Sequence, residues 1–374
     1  MKKIRILQTP VRFYPYTGGV EKYVFNLSQE LINRDHFVKV VCADEPKSDL
    51  TEIDGINVQR LNYIGKISNT NITLGLFFAL LKENFDIIHT HFPTPWSADI
   101  SMIISFLKKK PLILTYHNDV VKTGKLGFLT EVYNLVFLKL LLKRSAKILV
   151  TQPEYINRSK YLYKYKNKIE VIPNGIDTKI YFQKNINKIP NQIFFLSILD
   201  KYHTYKGLDC LIKAIKIVKI KIPNIRLIVG GSGDMVKNYK FLVKKLELEK
   251  NIEFRGFIES NKLVDLYNQS ELFVLPSTGI QEGFGIVLLE ALACGTPVIA
   301  TNIVGIAKEI KDNKCGIIIP RNDAKKLAQA IIRIIKNINL QKKMGEKGRM
   351  LVEEKYGWEK IAKKVEKIYE EIIK

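Results

Sequence analysis

The chain has little cysteine and no pattern to it. Cys42, Cys210, Cys294 and Cys315 lie far apart among 374 residues, and no C-x-x-C occurs. That excludes zinc ribbons, thioredoxin-like redox pairs and a disulfide framework. Buried, reduced thiols in a cytoplasmic setting are expected instead. Long apolar runs are missing too: stretches such as Leu74–Leu81 fall well short of the ~20 residues that span a bilayer. The opening MKKIRILQTP is too poor in apolar residues for a signal peptide. No Pro-, Gly- or Ser-rich tract points to disorder, and no solenoid repeat is visible. The dinucleotide fingerprint G-x-G-x-x-G, the P-loop pattern and Asp-x-Asp are all absent, as are helix-turn-helix and aromatic RNA-binding signatures.

Charge, by contrast, is abundant and one-sided. Sixty Lys and Arg face 37 Asp and Glu, for a net +23. The excess is spread over both halves, so no basic tail or single basic module stands out. It fits a solvated lysine surface equally well as an anionic partner, such as phosphate esters or an acidic membrane face. A nucleic-acid-binding protein would share the charge, but no motif supports one.

Short apolar or β-branched runs alternate with longer helical patterns. Ile4–Thr9, Val38–Ala43, Ile87–Thr90, Leu112–Tyr116 and Lys147–Thr151 read as strands, with helical spacing in Glu21–Asn33 and Gly127–Arg144 among others. The rhythm restarts after Asn174-Gly175-Ile176-Asp177 with Ile193–Leu199, a helix at Gly207–Lys219 and Arg226–Gly230. The fold class is α/β, with two Rossmann-like, doubly wound domains of similar size over residues 1–177 and 178–357. Residues 358–374 place Ile361, Val365, Ile368 and Ile372 on one helical face that must be buried somewhere. Open α/β sheets bind ligands at the carboxyl ends of their strands. Two facing sheets would create a cleft there.

Several post-strand loops could carry chemistry. Gly18-Gly19 sits where a first helix begins, and a helix N-terminus offers unpaired N–H groups to an anion. LIVGGSG (227–233), which includes Gly231, is a second phosphate-compatible turn. Lys206 precedes a helix as a point charge suited to a diphosphate. His117 follows a strand, and His89-x-His91 lies at a similar strand end without an accompanying carboxylate or cysteine ligand set. The most informative stretch is EGFGIVLLEALACGTP (282–297): an acid, a glycine-flanked aromatic, an apolar helix with a second acid inside it, then a Gly and Pro stop. Phe284 and Gly285 would sit at that helix entrance. Glu282 and Glu290 could each clamp hydroxyls of an elongated ligand.

Taken in order, TGGVEKYVFNLSQEL, HTHFP, TYHND, VIPNGID, YKGLD, LIVGGSGD, FRGFI, LFVLPS, EGFGIVLLEALACGTPVIAT and YGWEKIAKK resemble glycosyltransferase family 4, whose retaining enzymes have the two-domain GT-B fold. The resemblance implies a hexosyl transfer from a nucleotide diphosphate sugar, GDP-mannose or a UDP-sugar, to a glycan or lipid-linked acceptor. It implies a donor site chiefly in the C-terminal domain, an acceptor approaching from the N-terminal one, and a terminal helix crossing back to the first domain. By the same match, Glu290 holds the ribose, Glu282 the transferred sugar, and Lys206 the diphosphate. Gly18 and Gly19 close over the phosphates, His117 lies beside the reacting sugar, and Phe284 and Gly285 offer backbone amides. Gly231, Phe257 and Ile258 fall in donor-binding segments. The family's usual arginine before the K-G pair is missing; Lys201 and His203 are the candidates to replace it. No metal or other cofactor is expected. Surface polysaccharide or glycolipid synthesis on the cytoplasmic membrane face is implied, and Lys139, Lys143, Arg144 and Lys147 beside Leu138–Leu142 suit contact with anionic lipid. The alternatives are a nucleotide-sugar epimerase of the same architecture and a non-catalytic sugar-nucleotide-binding subunit.

Overall fold

Ile87–Phe92 is buried at all six positions and Leu112–Tyr116 at all five. Strands apolar on both faces belong to a parallel sheet covered on both sides. The computed structural model, which describes residues 3–373 except 17, 68–69, 120–123 and 280–281, contains two such sheets. The chain divides into two units. One comprises the residues up to Gly175 together with those from Trp358 on; the other is Ile176–Gly357. Thr17 and Gln281, beside two of the loops singled out above, lie outside the described residues.

In the first unit the strands run in the order Ile169–Val171, Lys147–Val150, Leu112–Tyr116, Ile87–Phe92, Arg5–Thr9, Phe37–Ala43 and Ile56–Leu61, all parallel. Glu52–Ile53 closes the edge as an antiparallel hairpin partner. Sequence order reverses between Arg5–Thr9 and Ile87–Phe92, and that is the switch point where such sheets take ligands. In the second unit the order is Ile252–Gly256, Arg226–Gly230, Gln192–Leu196, Leu272–Leu275, Val298–Thr301 and Gly316–Ile319, again all parallel. This is the 3-2-1-4-5-6 order of a Rossmann sheet, with its switch point between Gln192–Leu196 and Leu272–Leu275.

The terminal helix Trp358–Ile373 belongs to the first unit, which periodicity alone left open. Ile361, Ala362, Val365 and Tyr369 are fully buried beside Tyr23, Leu27 and Leu31 of the helix Gly19–Asn33. Each such apolar side chain contributes roughly 1.5–3 kcal/mol by leaving water. Glu366 fixes the register, accepting from Arg34 Nε at 2.6 Å and facing His36 Nε2 at 2.9 Å. The Trp358 ring lies where a side chain at position 175 would stand, so Gly175 has to be glycine.

Three elements depart from expectation. The helix foreseen over Gly127–Arg144 runs from Gly124 to Arg144, with one wider turn at Asn134–Leu138. The strand foreseen to Leu199 ends at Leu196, because the next residues join a loop described below. An 18-residue helix, Ile338–Lys355, was not foreseen. All four cysteines are buried and unpaired, and no described helix is long and apolar enough to cross a membrane.

Candidate active site

At the switch point of the second unit, Gln192–Leu196 leads through a loop to a short 3-10 turn, Thr204–Lys206, and then to the helix Leu208–Lys221. Gly207 joins the two with φ +78°, and a side chain there would run into the carbonyl of Pro276. The close approach lets Thr278 N donate to Tyr205 O at 2.7 Å. The turn is thereby tied to the loop after Leu272–Leu275. Lys206 Nζ reaches Glu282 Oε2 at 2.7 Å, and Ser277 Oγ donates to the same oxygen at 2.8 Å. Glu282 is 4% exposed and the Lys206 side chain 19%. A cation, a buried acid and a hydroxyl thus meet where the sheet's strand order reverses.

Glu282 leads directly into the helix Ile286–Ala293. Gly285 takes φ +83° as its N-cap, in a space closed to any side chain by Val304. Phe284 turns its ring inward, 5.9 Å from Tyr356 and edge-on. Its backbone, rather than its ring, is therefore what the helix entrance presents. Glu290 lies one turn further on and is buried; its Oε2 accepts from Tyr267 OH at 2.7 Å. The carboxylate and burial together push the hydroxyls of Tyr267 and Tyr181 upward, so both stay protonated donors.

The glycine loop is built differently from the phosphate cradle its sequence suggests. Gly231 has φ +114° and lies against the carbonyl of Ser197, leaving no room for a side chain. Its N–H is committed to Gly256 O at 2.7 Å, and Leu199 N donates to Ser232 O at 2.9 Å. The loop thus zips to residues 197–201, which is why the preceding strand stops early. Lys201 donates its backbone N–H to Asp234, and its ammonium stands 5.0 Å over the Tyr202 ring. His203 Nδ1 is 2.7 Å from Asp200 Oδ1. Of the two proposed substitutes for the missing arginine, His203 is thus held by an acid, and Lys201 has an exposed side chain. Phe257 is exposed, whereas Ile258 packs on the core beside Gly230.

In the first unit the helix Gly19–Asn33 begins at Gly18, whose Cα is crowded by the Glu21 carboxylate and the Tyr16 ring; Gly19 faces open space. Arg12 stands beside Glu21 and Glu45, at 3.7 and 3.8 Å. At the switch point, Gln8 and His89 are fully buried, as is His91. His117, after Leu112–Tyr116, is half-buried. The three imidazoles form a column: His89 and His91 stack at 4.8 Å and His91 and His117 at 5.5 Å, with Tyr23 edge-on to the last two. Burial lowers His89 to about 3 and His117 to about 4, and holds His91 well below its ordinary value. Ser277, the two tyrosines on Glu290, and Gln8 escaped sequence reasoning. Gln8 left one trace there, as a polar residue inside an otherwise apolar strand.

Among the four basic residues assigned to lipid contact, two are otherwise engaged. Arg144 donates to the carbonyls of Ser105 and Lys110, and Lys147 pairs with Glu170 at 2.6 Å. Lys139 and Lys143 are exposed.

Comparison with known proteins matches residues 17–180 to the Glycosyltransferase Family 4 model and residues 177–351 to the model of Glycosyl transferases group 1. An uncharacterised glycosyltransferase of Methanocaldococcus jannaschii is 28% identical over 97% of both chains. The phosphatidyl-myo-inositol mannosyltransferase of Mycobacterium tuberculosis is 24% identical over 95% of this chain and 93% of its own. Among solved structures, Anabaena HepE in complex with UDP aligns with a TM-score of 0.78 at 19% identity, over 99% of this chain and all of its own. That likeness is one of fold, the GT-B fold.

Proposed function

The chain belongs to the glycosyltransferases that carry the family 4 and group 1 domains one after the other, and from that premise we propose a retaining transfer of a hexosyl group, of mannosyl or glucosyl type, from a nucleotide diphosphate sugar to a hydroxyl of a glycan or lipid-linked acceptor. The observation that carries this reading is the cluster of Lys206, Glu282 and Ser277 at the switch point of the second sheet. As the anomeric C–O bond breaks, the pyrophosphate takes up negative charge. Lys206 and the amides at the entrance of Ile286–Ala293 stabilise it as it forms. The acceptor oxygen bonds to the anomeric carbon on the face the pyrophosphate leaves, and its proton passes to a departing phosphate oxygen. No step requires a metal ion. Glu282 takes hydroxyls of the transferred sugar. Glu290, oriented by Tyr267 and Tyr181, takes the ribose. His117 in the first unit serves the transferred sugar.

A lipid-linked acceptor agrees with the first unit's surface. Phe128, Val132, Leu135, Val136 and Leu140 are all exposed along one helix face, with Lys139 and Lys143 beside them. The mycobacterial relative's name supports the same reading.

A thermal-shift panel of UDP-, GDP- and ADP-sugars should single out one donor, which at a hundredfold excess over its Kd adds about 2.7 kcal/mol. Lys206→Ala should then lower turnover with that donor by about 10²–10³-fold, the cost of losing one group that stabilises developing charge. Unchanged turnover in that variant removes Lys206 from the reaction. An epimeric nucleotide sugar formed from donor alone would favour the epimerase.

A further inference from the structure

The histidine column has a logic of its own. His91 Nε2 lies 3.0 Å from Gln8 Oε1, and His91 Nδ1 lies 3.3 Å from His117 Nε2. An amide oxygen only accepts, so the nitrogen facing it must carry the proton. We propose that Gln8 and His91 are positioning residues that fix the tautomer of His117: Gln8 Oε1 keeps the His91 proton on Nε2, His91 Nδ1 therefore accepts from His117 Nε2, and the lone pair of His117 is confined to Nδ1.

The orientation of the Gln8 amide decides the whole column. Its Nε2 points toward His89 Nδ1 at 3.5 Å, and that nitrogen also receives the Tyr369 hydroxyl at 2.5 Å. His89 accordingly holds its proton on Nε2, 2.7 Å from Thr115 Oγ1. Turning the amide over would move the proton of every ring to its other nitrogen. Burial keeps all three rings neutral near pH 7, so each has a single proton to place. Tyr23 packs edge-on against His91 and His117 and holds the stack in register.

The consequence is chemical selection, and it rests on the role given to His117 above. An imidazole with its lone pair at Nδ1 accepts from a donor. It takes a sugar hydroxyl there and disfavours a phosphate oxygen. The opposite tautomer would reverse that preference.

The test uses full-length protein with 15N-labelled histidine, whose long-range proton–nitrogen spectra report the tautomer of each ring. His117 protonated on Nε2 is the expected result in the unaltered chain, and protonation on Nδ1 overturns the proposal. Gln8→Met, close in size but without an acceptor, should leave His91 and His117 as mixtures of both tautomers; an unchanged His117 signal overturns it too. Hydrolysis of UDP-glucose and of GDP-mannose should fall in kcat by roughly 10–100-fold in that variant, the range found for partners that orient functional histidines. A fall in melting temperature with kcat and tautomer intact would leave Gln8 a packing residue only. His117→Ala separates the two claims. If it leaves turnover unchanged, His117 has no part in the reaction, while the spectra still decide the tautomer.

Discussion

His89, His91 and His117 are held neutral in the folded chain, and that has a cost in acid. An unfolded histidine takes up a proton near pH 6.5, whereas folded His89 does so only at about 3 and His117 at about 4. Below pH 6.5 the unfolded state therefore binds more protons. Stability should fall as the pH drops from 6.5 toward 4, by up to about 1.4 kcal/mol per pH unit for each histidine. Asp86, held to about 2 mainly by its hydrogen bond to Arg5, acts only below that window. Melting temperatures measured from pH 7 to 5 should decline steeply, and His89→Gln should flatten the slope whatever it does to the absolute value. A level profile in the unaltered chain would contradict the buried neutral column. Legibility at this scale was uneven. Lys206, Glu282, Phe284, Gly285 and Glu290 stood in recognisable motifs. Ser277 and Gln8 gain meaning only from partners 5 and 83 positions away in the chain.

The helix Trp358–Ile373 was legible because its apolar residues recur at helical spacing. Ile338–Lys355 was not, because Gly345 and Gly348 interrupt its pattern and lower its propensity. The structure shows what they serve. A side chain at Gly345 would meet the backbone of Gly295, and one at Gly348 would meet Leu292. The helix is packed against the end of Ile286–Ala293, the element that follows Glu282 and contains Glu290. On an exposed helix Gly→Ala would add up to about 1 kcal/mol. Here Gly345→Ala should cost roughly 1–3 kcal/mol in urea unfolding, as overpacking does, and weaken donor binding with it. A stabilised variant would show that the two helices do not approach so closely. The glycine loop around Gly231 teaches a related lesson. Its sequence suited a phosphate cradle, yet its N–H groups and positive φ values serve a backbone zipper to residues 197–201.

Across the molecule the charge of +23 disfavours self-association through like-charged faces and favours anionic surfaces. The apolar stripe of Phe128, Val132, Leu135, Val136 and Leu140 has the aromatic and lysine-flanked character of an interfacial helix. Vesicles of phosphatidylglycerol and phosphatidylcholine should carry the protein down on sedimentation. Lys139→Gln with Lys143→Gln should weaken that binding roughly 30-fold, at about 1 kcal/mol per lysine, and Leu135→Ser with Phe128→Ser should reduce it further. Equal sedimentation of all variants would remove this face from membrane contact.

Alternating strand and helix periods determined the two α/β units, and the apolar stripe after Trp358 determined that a terminal helix had to be buried. Such patterns are local, and the hydrophobic effect reads them residue by residue. Only the tertiary structure decided that the last helix joins the first unit through Tyr23 and Leu27, that Lys206 meets Glu282 where the strand order turns back, and that a glutamine in the first strand orders the protons of three histidines. Those are contacts between residues tens to hundreds of positions apart. The chain sequence encodes such a contact only through the fold that closes it.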